Sequence, residues 1–220
     1  MIRTIRSRWT SRPGGPRRAT VRVALSALLV TAVAGAAMLP AGAAGRGAAT
    51  GNIVEKLVAR SGSGFDTNGT DFDLLIQAVT TAGLGGALSD PDASLTVLAP
   101  NDAAFVRTAR SLGYTGTSES GAWSFLVSAL TSIGGGDPIP VLQSILTYHV
   151  VPQRLTIQRI VDRTSLPTLA DTRVGVRFVR FVDREPDLPD PRLNVYVYNV
   201  AATNGIIHGI NGVLLPVNLP

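Results

Sequence analysis

The sequence predicts an α+β fold. Two observations carry this: apolar residues recur at helical spacing through most of the chain up to Val150, and from Leu155 onward they mostly alternate as in strands. Helices gathered ahead of most of the strands fit an α+β layout. No internal repeat is visible.

Composition bounds the rest. The chain has 220 residues, of which 45% are hydrophobic and 16% charged, so a packed core is expected rather than disorder. The formal net charge is +5, but eight of the 20 basic residues precede Glu55, the first acid. The remaining 12 basic residues face 15 acidic ones, a net of −3 from residue 51 onward. The basic character belongs to the N-terminal segment, so no nucleic acid is expected as a partner of the folded domain. Cysteine is absent, which rules out disulfides, thiolate nucleophiles and Cys-ligated zinc. Core packing has to supply the stability, and a domain of this size can bury enough surface to do so.

Residues 1–43 read as an export signal. Seven arginines within residues 1–22 precede an apolar run over 23–39. Pro40 breaks the run, and Ala41-Gly42-Ala43 offers small residues to a signal peptidase. The run has 17 residues and is rich in alanine, at the lower limit for spanning a bilayer. An uncleaved leader is therefore the one membrane attachment expected. Arg17-Arg18 before the run is compatible with twin-arginine export, and the general secretory route is the alternative. The expected organisation is a signal peptide over 1–43, a flexible linker over 44–51 and one domain over 52–218, secreted or held in the cell envelope.

Within the domain, Ile53, Val54, Leu57 and Val58 lie at helical spacing, and Ser61-Gly62-Ser63-Gly64 ends that helix. Thr70-x-x-Asp73 reads as a capping box for a second helix carrying Phe72, Leu75, Ile76 and Val79, closed by Gly83. Residues 94–99 alternate like a strand that Pro100 ends. Asn101 or Asp102 can cap the next helix, which carries Phe105 and Val106. A Gly/Ser/Thr loop over 113–121 leads to an apolar helix over 123–133, a break over 134–138 and another helix over 141–150. Residues 173–182 alternate, but the parity switches between Phe178 and Val179, which suggests a β-bulge near 178–180. A Pro/Asp-rich loop over 183–191 precedes a strand over 193–200. Asn204-Gly205 signals a hairpin turn into Ile206-Ile207-His208, and Val213-Leu214-Leu215 reads as the last strand.

Three segments together resemble the fasciclin (FAS1) domain family. Residues Thr96-Val-Leu-Ala-Pro-Asn-Asp-Ala-Ala-Phe105, including Pro100, Asn101 and Asp102, look like its first signature box. Tyr148-His149-Val150-Val151 resembles its central tyrosine–histidine motif. Asn204-Gly205-Ile-Ile-His208-Gly-Ile-Asn-Gly-Val-Leu-Leu-Pro216 looks like its second box. Order and spacing fit over roughly 52–218. Three features depart from the family pattern: Gly209 where it favours a β-branched or apolar residue, Asn211 where Asp is common, and a longer segment between Leu112 and Val141. The resemblance implies a β-sandwich wedge flanked by several helices. It further implies a non-catalytic role in adhesion to a cell-surface protein or polysaccharide, with no cofactor. It associates Tyr148 and His149 with partner binding and gives Thr96, Pro100, Asn101, Asp102, Phe105, Asn204, Gly205 and His208 structural parts.

The residues themselves offer little catalytic chemistry. His149 and His208 are the two histidines of the chain, 59 residues apart and without flanking carboxylates at ligand spacing, so burial with backbone hydrogen bonds is expected of both. Helical phasing puts His149 with Leu142, Ile145 and Leu146. Tyr148 is offset from that face by about 100°, so it is expected to be the more exposed and the better binding candidate. The closest approach to a serine-hydrolase elbow, Gly116-Thr-Ser-Glu-Ser120, ends in serine instead of glycine, and Gly83-Leu-Gly-Gly86 is not a dinucleotide loop. The acidic run Asp66, Asn68, Asp71, Asp73 is a calcium candidate, although an Asx-turn followed by a helix cap explains the same residues without an EF-hand pattern. Asn68-Gly-Thr70 is also a glycosylation sequon. Arg173, Arg177, Arg180 and Arg184 read as a charged strand face that discourages edge pairing, with acidic sugars as the alternative reading. An exported hydrolase is the rival function.

Overall fold

The computed structural model describes residues 49–62 and 64–217; the expected leader over 1–43 and most of the linker over 44–51 lie outside them. Asn52 opens helix α1 (Ile53–Val58) with a reciprocal box: its side chain accepts the Glu55 N–H, and the Glu55 carboxylate accepts the Asn52 N–H. Helix α2 (Asp73–Thr81) starts later than a Thr70 cap implies. Thr70 Oγ1 bonds Asn68 Oδ1 instead, and Phe72 stands at the N-cap without a side-chain bond. The helix ends as expected at Gly83, whose φ of +70° lets Leu84 N–H reach Val79 O and Gly83 N–H reach Thr80 O.

Helix α3 (Gly85–Ser89) leads into strand β1 (Leu95–Pro100). Then come α4 (Asp102–Ser111), capped by Asn101, α5 (Glu119–Ile133), capped by Ser118, and α6 (Ile139–Tyr148). The remainder is β2 (Val150–Val151), α7 (Ile157–Val161), β3 (Ser165–Pro167), β4 (Arg173–Arg177), β5 (Arg180–Val182), β6 (Val200–Ala202) and β7 (Gly205–Ile210). One sheet has the order β2-β1-β7-β6 and the other β3-β4-β5. Strands β1 and β7 run parallel, with Thr96 opposite Ile206 and Leu98 opposite His208; the other neighbours are antiparallel. Among the described residues no helix is long and apolar enough to cross a membrane.

Every residue of β1 is buried, because both faces of its sheet are covered. Leu95, Val97 and Ala99 join a core with Ile53, Leu75, Phe105, Leu142 and Leu146 from the helices. Leu98 joins a second core with Val151 and Ile210 of the same sheet and Leu166, Val174 and Phe181 of the three-stranded sheet. A helical layer therefore covers one face of the larger sheet, and the smaller sheet packs on the other.

Four strand-level expectations are corrected. Residues 178–179 form a hairpin turn between β4 and β5, with Phe178 at φ +57°, so the parity switch marks a reversal of the chain and not a bulge. Most of 193–199 is not strand: Asn194 Oδ1 accepts the Tyr196 N–H, a local turn that competes with a ladder. The β6–β7 turn falls at Thr203-Asn204, with Gly205 already opening β7. Residues 213–215 form no strand, and the Leu214 and Leu215 N–H groups bond side chains instead.

Candidate functional site

Helix α6 delivers the tyrosine–histidine pair to its C-terminus. Leu142, Ile145 and Leu146 face the helical core as the spacing predicts. Tyr148 is indeed off that face, but the space there is the second core and not solvent. Its exposure is 0%, it packs with that core, and its hydroxyl donates to Arg173 O at 3.2 Å. The expectation of an exposed Tyr148 is overturned. Burial, with the nearby Asp183 charge, pushes its hydroxyl up to about 12.

His149 is 2% exposed. Its Nε2 faces the Leu214 N–H at 2.9 Å and its Nδ1 faces Ile145 O at 2.8 Å. An amide can only donate and a carbonyl only accept, so the ring is neutral with its proton on Nδ1. Burial lowers its pKa to about 4. His208 on β7 holds the opposite tautomer: Nε2–H donates to Leu155 O at 2.9 Å, and Nδ1 accepts the Asn199 N–H at 3.3 Å. Burial lowers its pKa too. Both rings have both nitrogens occupied by backbone groups, which leaves none for a metal or a substrate proton.

The two signature boxes meet along β1 and β7. Thr96 Oγ1 donates to Gln153 O at 2.6 Å and accepts the Leu155 N–H at 2.8 Å, pinning the loop after β2. Asn101 Oδ1 accepts the Ala104 N–H, Pro100 pairs with Ile210, and Phe105 fills the helical core. Asn204, 1% exposed, accepts the Ile53 N–H and donates to Leu88 O and Asp90 O, so it ties α1 and α3 to the β6–β7 turn. Gly205 allows that approach: a Cβ there would lie 2.5 Å from Leu95 O.

Asp102 works at a distance. Its carboxyl accepts the Asp73 N–H at 3.0 Å and the Leu74 N–H at 2.7 Å, supplying the N-terminal partners of α2 that Thr70 does not. Asp66, Asp71 and Glu119 bring carboxyl oxygens together, as do Asp71, Asp73 and Asp102. Asn68 Oδ1 accepts from Thr70, and its side-chain amide donates to Asp71 Oδ2. Burial, and then a hydrogen bond with Asp71, push Asp102 up to about 8 despite its two N–H donors. Burial and neighbouring carboxyls raise Asp73 and Glu119 as well. Sequence reasoning saw the 66–73 half of this cluster and missed Asp102 and Glu119. Both occupy the first turn of a helix, α4 and α5, and that shared position was the legible signal.

A second feature was not anticipated. Phe178 at the β4–β5 turn is 86% exposed and Tyr196 is 92% exposed, with Val179, Val195 and Tyr198 also open to solvent. The two loops are neighbours: the Leu193 N–H donates to Val179 O at 2.8 Å, and Arg192 bridges Arg180. The second loop is fastened to β7 by bonds from Asn194 N–H to Gly209 O and from Gly209 N–H to Val197 O, both 2.7 Å. Arg177 and Arg192 are exposed on the same elements. Arg173 bonds Ser165, and Arg180 pairs with Asp190 at 3.6 Å.

The fasciclin-domain family model matches residues 70–216. This chain belongs to the fasciclin family. Fasciclin domains are generally non-catalytic adhesion modules. No curated protein matched the sequence. Among solved structures, the chain is similar to a FAS1 domain pair from the insect cell adhesion molecule fasciclin I, at 20% identity and a TM-score of 0.50, over 75% of this chain and 51% of that one. It spans about half the length of that pair, and at this identity the likeness shows the fold alone: a mixed α+β domain with helices and two small sheets. Helix α1 precedes the matched segment and packs into the same core.

Proposed function

We propose that this fasciclin domain is a secreted, non-catalytic adhesion module that docks a cell-surface protein through the aromatic edge of Phe178, Tyr196 and Tyr198. One observation carries the reading: large aromatic rings stand open to solvent on two loops that are hydrogen-bonded to each other and to β7. Exposed aromatics beside arginines are the composition of interface hot spots, and loops already fixed in place lose little freedom on binding. Tyr148 and His149, both buried, belong to the frame of the domain and not to this docking surface.

A polysaccharide is the second candidate partner, favoured by exposed tyrosines and exposed Arg177 and Arg192 on the same two loops and their flanking strand, a composition that suits sugar rings and acidic groups. Binding of the labelled protein to intact cells and to a glycan array, compared with a variant lacking the aromatic rings, tests both. Turnover of ester, peptide or glycoside substrates would point to the rival hydrolase. Secretion is tested by N-terminal sequencing of exported material, which is expected to start at Ala44.

A further inference from the structure

Two groups of three carboxyls, sharing Asp71, adjoin one another in this domain. Asp66, Asp71 and Glu119 each bring an oxygen within 4.8 Å of the others, and Asp71, Asp73 and Asp102 do the same, so Asp71 belongs to both groups. The Arg180–Asp190 ion pair involves none of the five. Arg107 and Arg110 line the same cleft as Asp66 and Glu119, but their guanidinium groups bond Asn211 O and Gly116 O.

Hydrogen bonds account for some of these oxygens. Asp102 accepts two backbone N–H groups, Asp71 Oδ2 accepts from the Asn68 amide, and Glu119 Oε2 accepts the Asp66 N–H. Asp73 Oδ2 is left over without a hydrogen-bond partner, and Asp71 Oδ1 has none apart from a proton shared with the Asp102 carboxyl; both are buried, on residues only 5% exposed. Buried acceptors are ordinarily paired, and carboxylates sharing one site repel each other. A cation satisfies both requirements at once.

We propose that Asp71, Asp73 and Asp102 bind one divalent cation, with Asp66 and Glu119 supporting it from the solvent side as outer-shell carboxyls, and that the cation is calcium. A donor set made only of carboxylates selects a hard ion over zinc or copper, which favour nitrogen and sulfur. The three oxygens of Asp71, Asp73 and Asp102 lie close enough together to share one ion, and calcium accepts the irregular geometry such a set imposes. Magnesium demands a strict octahedron and keeps several waters, which a buried protein cluster does not provide. Asp66, exposed at the mouth of the cleft, gives the ion its way in. A proton shared by Asp71 and Asp102 is the competing arrangement. It would relieve their repulsion and leave Asp73 Oδ2 unpaired.

The test uses the full chain, stripped with a chelator and titrated with calcium chloride by calorimetry while thermal melting is followed in parallel. The expected result is one bound ion, a melting temperature that climbs with calcium concentration, loss of both effects in Asp71→Asn, and binding weakened about tenfold or more in Asp66→Asn. If Asp71→Asn fails to fold, Asp66→Asn still decides, because its side chain is exposed on a loop. The proposal is overturned by absence of heat and of a melting shift up to about 10 mM calcium, well above the weakest protein calcium sites. It is equally overturned by a response to magnesium alone, or by unchanged affinity in both variants.

Discussion

His149 Nε2 accepts the Leu214 N–H at 2.9 Å, and that one bond joins the tyrosine–histidine segment to the C-terminal box across 65 residues of sequence. It exists only while the ring is neutral. Buried, the ring has a pKa of about 4, against 6.5 for a free histidine. Between those values the unfolded chain binds a proton that the folded chain does not. The contribution is therefore complete above about pH 6.5 and is lost as pH falls toward about 4, amounting to about 3 kcal/mol. His208 acts in the same direction, whereas Asp183, raised by burial to about 6, acts in the opposite one.

The clean readout is thus a difference between proteins. His149→Gln should unfold about 2–3 kcal/mol more easily than the wild type near pH 7, by loss of buried hydrogen bonds. That gap should narrow as denaturant titrations are repeated down to pH 4. A gap that stays constant across this range would mean that His149 does not titrate as its burial requires.

Tyr148 makes a separable prediction. Its ring fills the second core while its hydroxyl makes one bond, to Arg173 O. Tyr148→Phe keeps the packing and should cost about 1 kcal/mol. Tyr148→Ala opens a cavity and should cost about 3–5 kcal/mol. Urea unfolding measures both. Cell-surface binding by the Phe variant should equal that of the wild type; a loss of binding at unchanged stability would return Tyr148 to the interface.

The fate of Tyr148 also marks how far the sequence could be read. Helices were legible, because their apolar spacing, the Asn101 cap and the Gly83 stop are local signals that tertiary contacts did not override. The phase of α6 was legible too, and it correctly set Tyr148 apart from Leu142 and Leu146. What spacing along one helix does not contain is the identity of the neighbour on its other side, here a second sheet formed by residues from 165 to 182. Residues 193–200 misled for a related reason. Their alternation is strand-like, but the Asn194 side chain bonds the Tyr196 N–H and Asn199 takes a φ of +53°, both of which divert the backbone from a ladder. The acidic cluster was half visible because its other half, Asp102 and Glu119, arrives from helices distant in sequence.

Gly209 departs from the family pattern, and the structure gives a reason. A Cβ on this residue would lie 3.1 Å from both Val197 Cβ and Val197 O, and 3.3 Å from Asn194 Cβ. The turn carrying Tyr196 presses directly on the β7 backbone at this point. Gly209→Val should therefore lower stability by about 1–3 kcal/mol and push the 194–198 loop off the strand. Hydrogen exchange checks it: the Gly209 amide, now held by Val197 O, should exchange faster in the variant, while the Leu98 amide deep in β1 should not.

The aromatic edge is the one feature here whose loss should affect binding and leave folding alone. Phe178 and Tyr196 are 86% and 92% exposed, so removing their rings deletes little buried area. Phe178 also holds a φ of +57°, a conformation costly for a bulky side chain. Replacing it by Asn, which tolerates that region, should stabilise the hairpin slightly or leave it unchanged. The double variant Phe178→Asn, Tyr196→Ser should thus melt within a few degrees of the wild type, as surface substitutions usually do. Hot-spot aromatics typically contribute about 2 kcal/mol or more each, so cell-surface affinity should fall by at least the roughly thirtyfold that one such ring supplies. If the double variant binds as tightly as the wild type, the docking surface lies elsewhere on the domain; if it also fails to fold, the rings have a structural role that their exposure does not reveal.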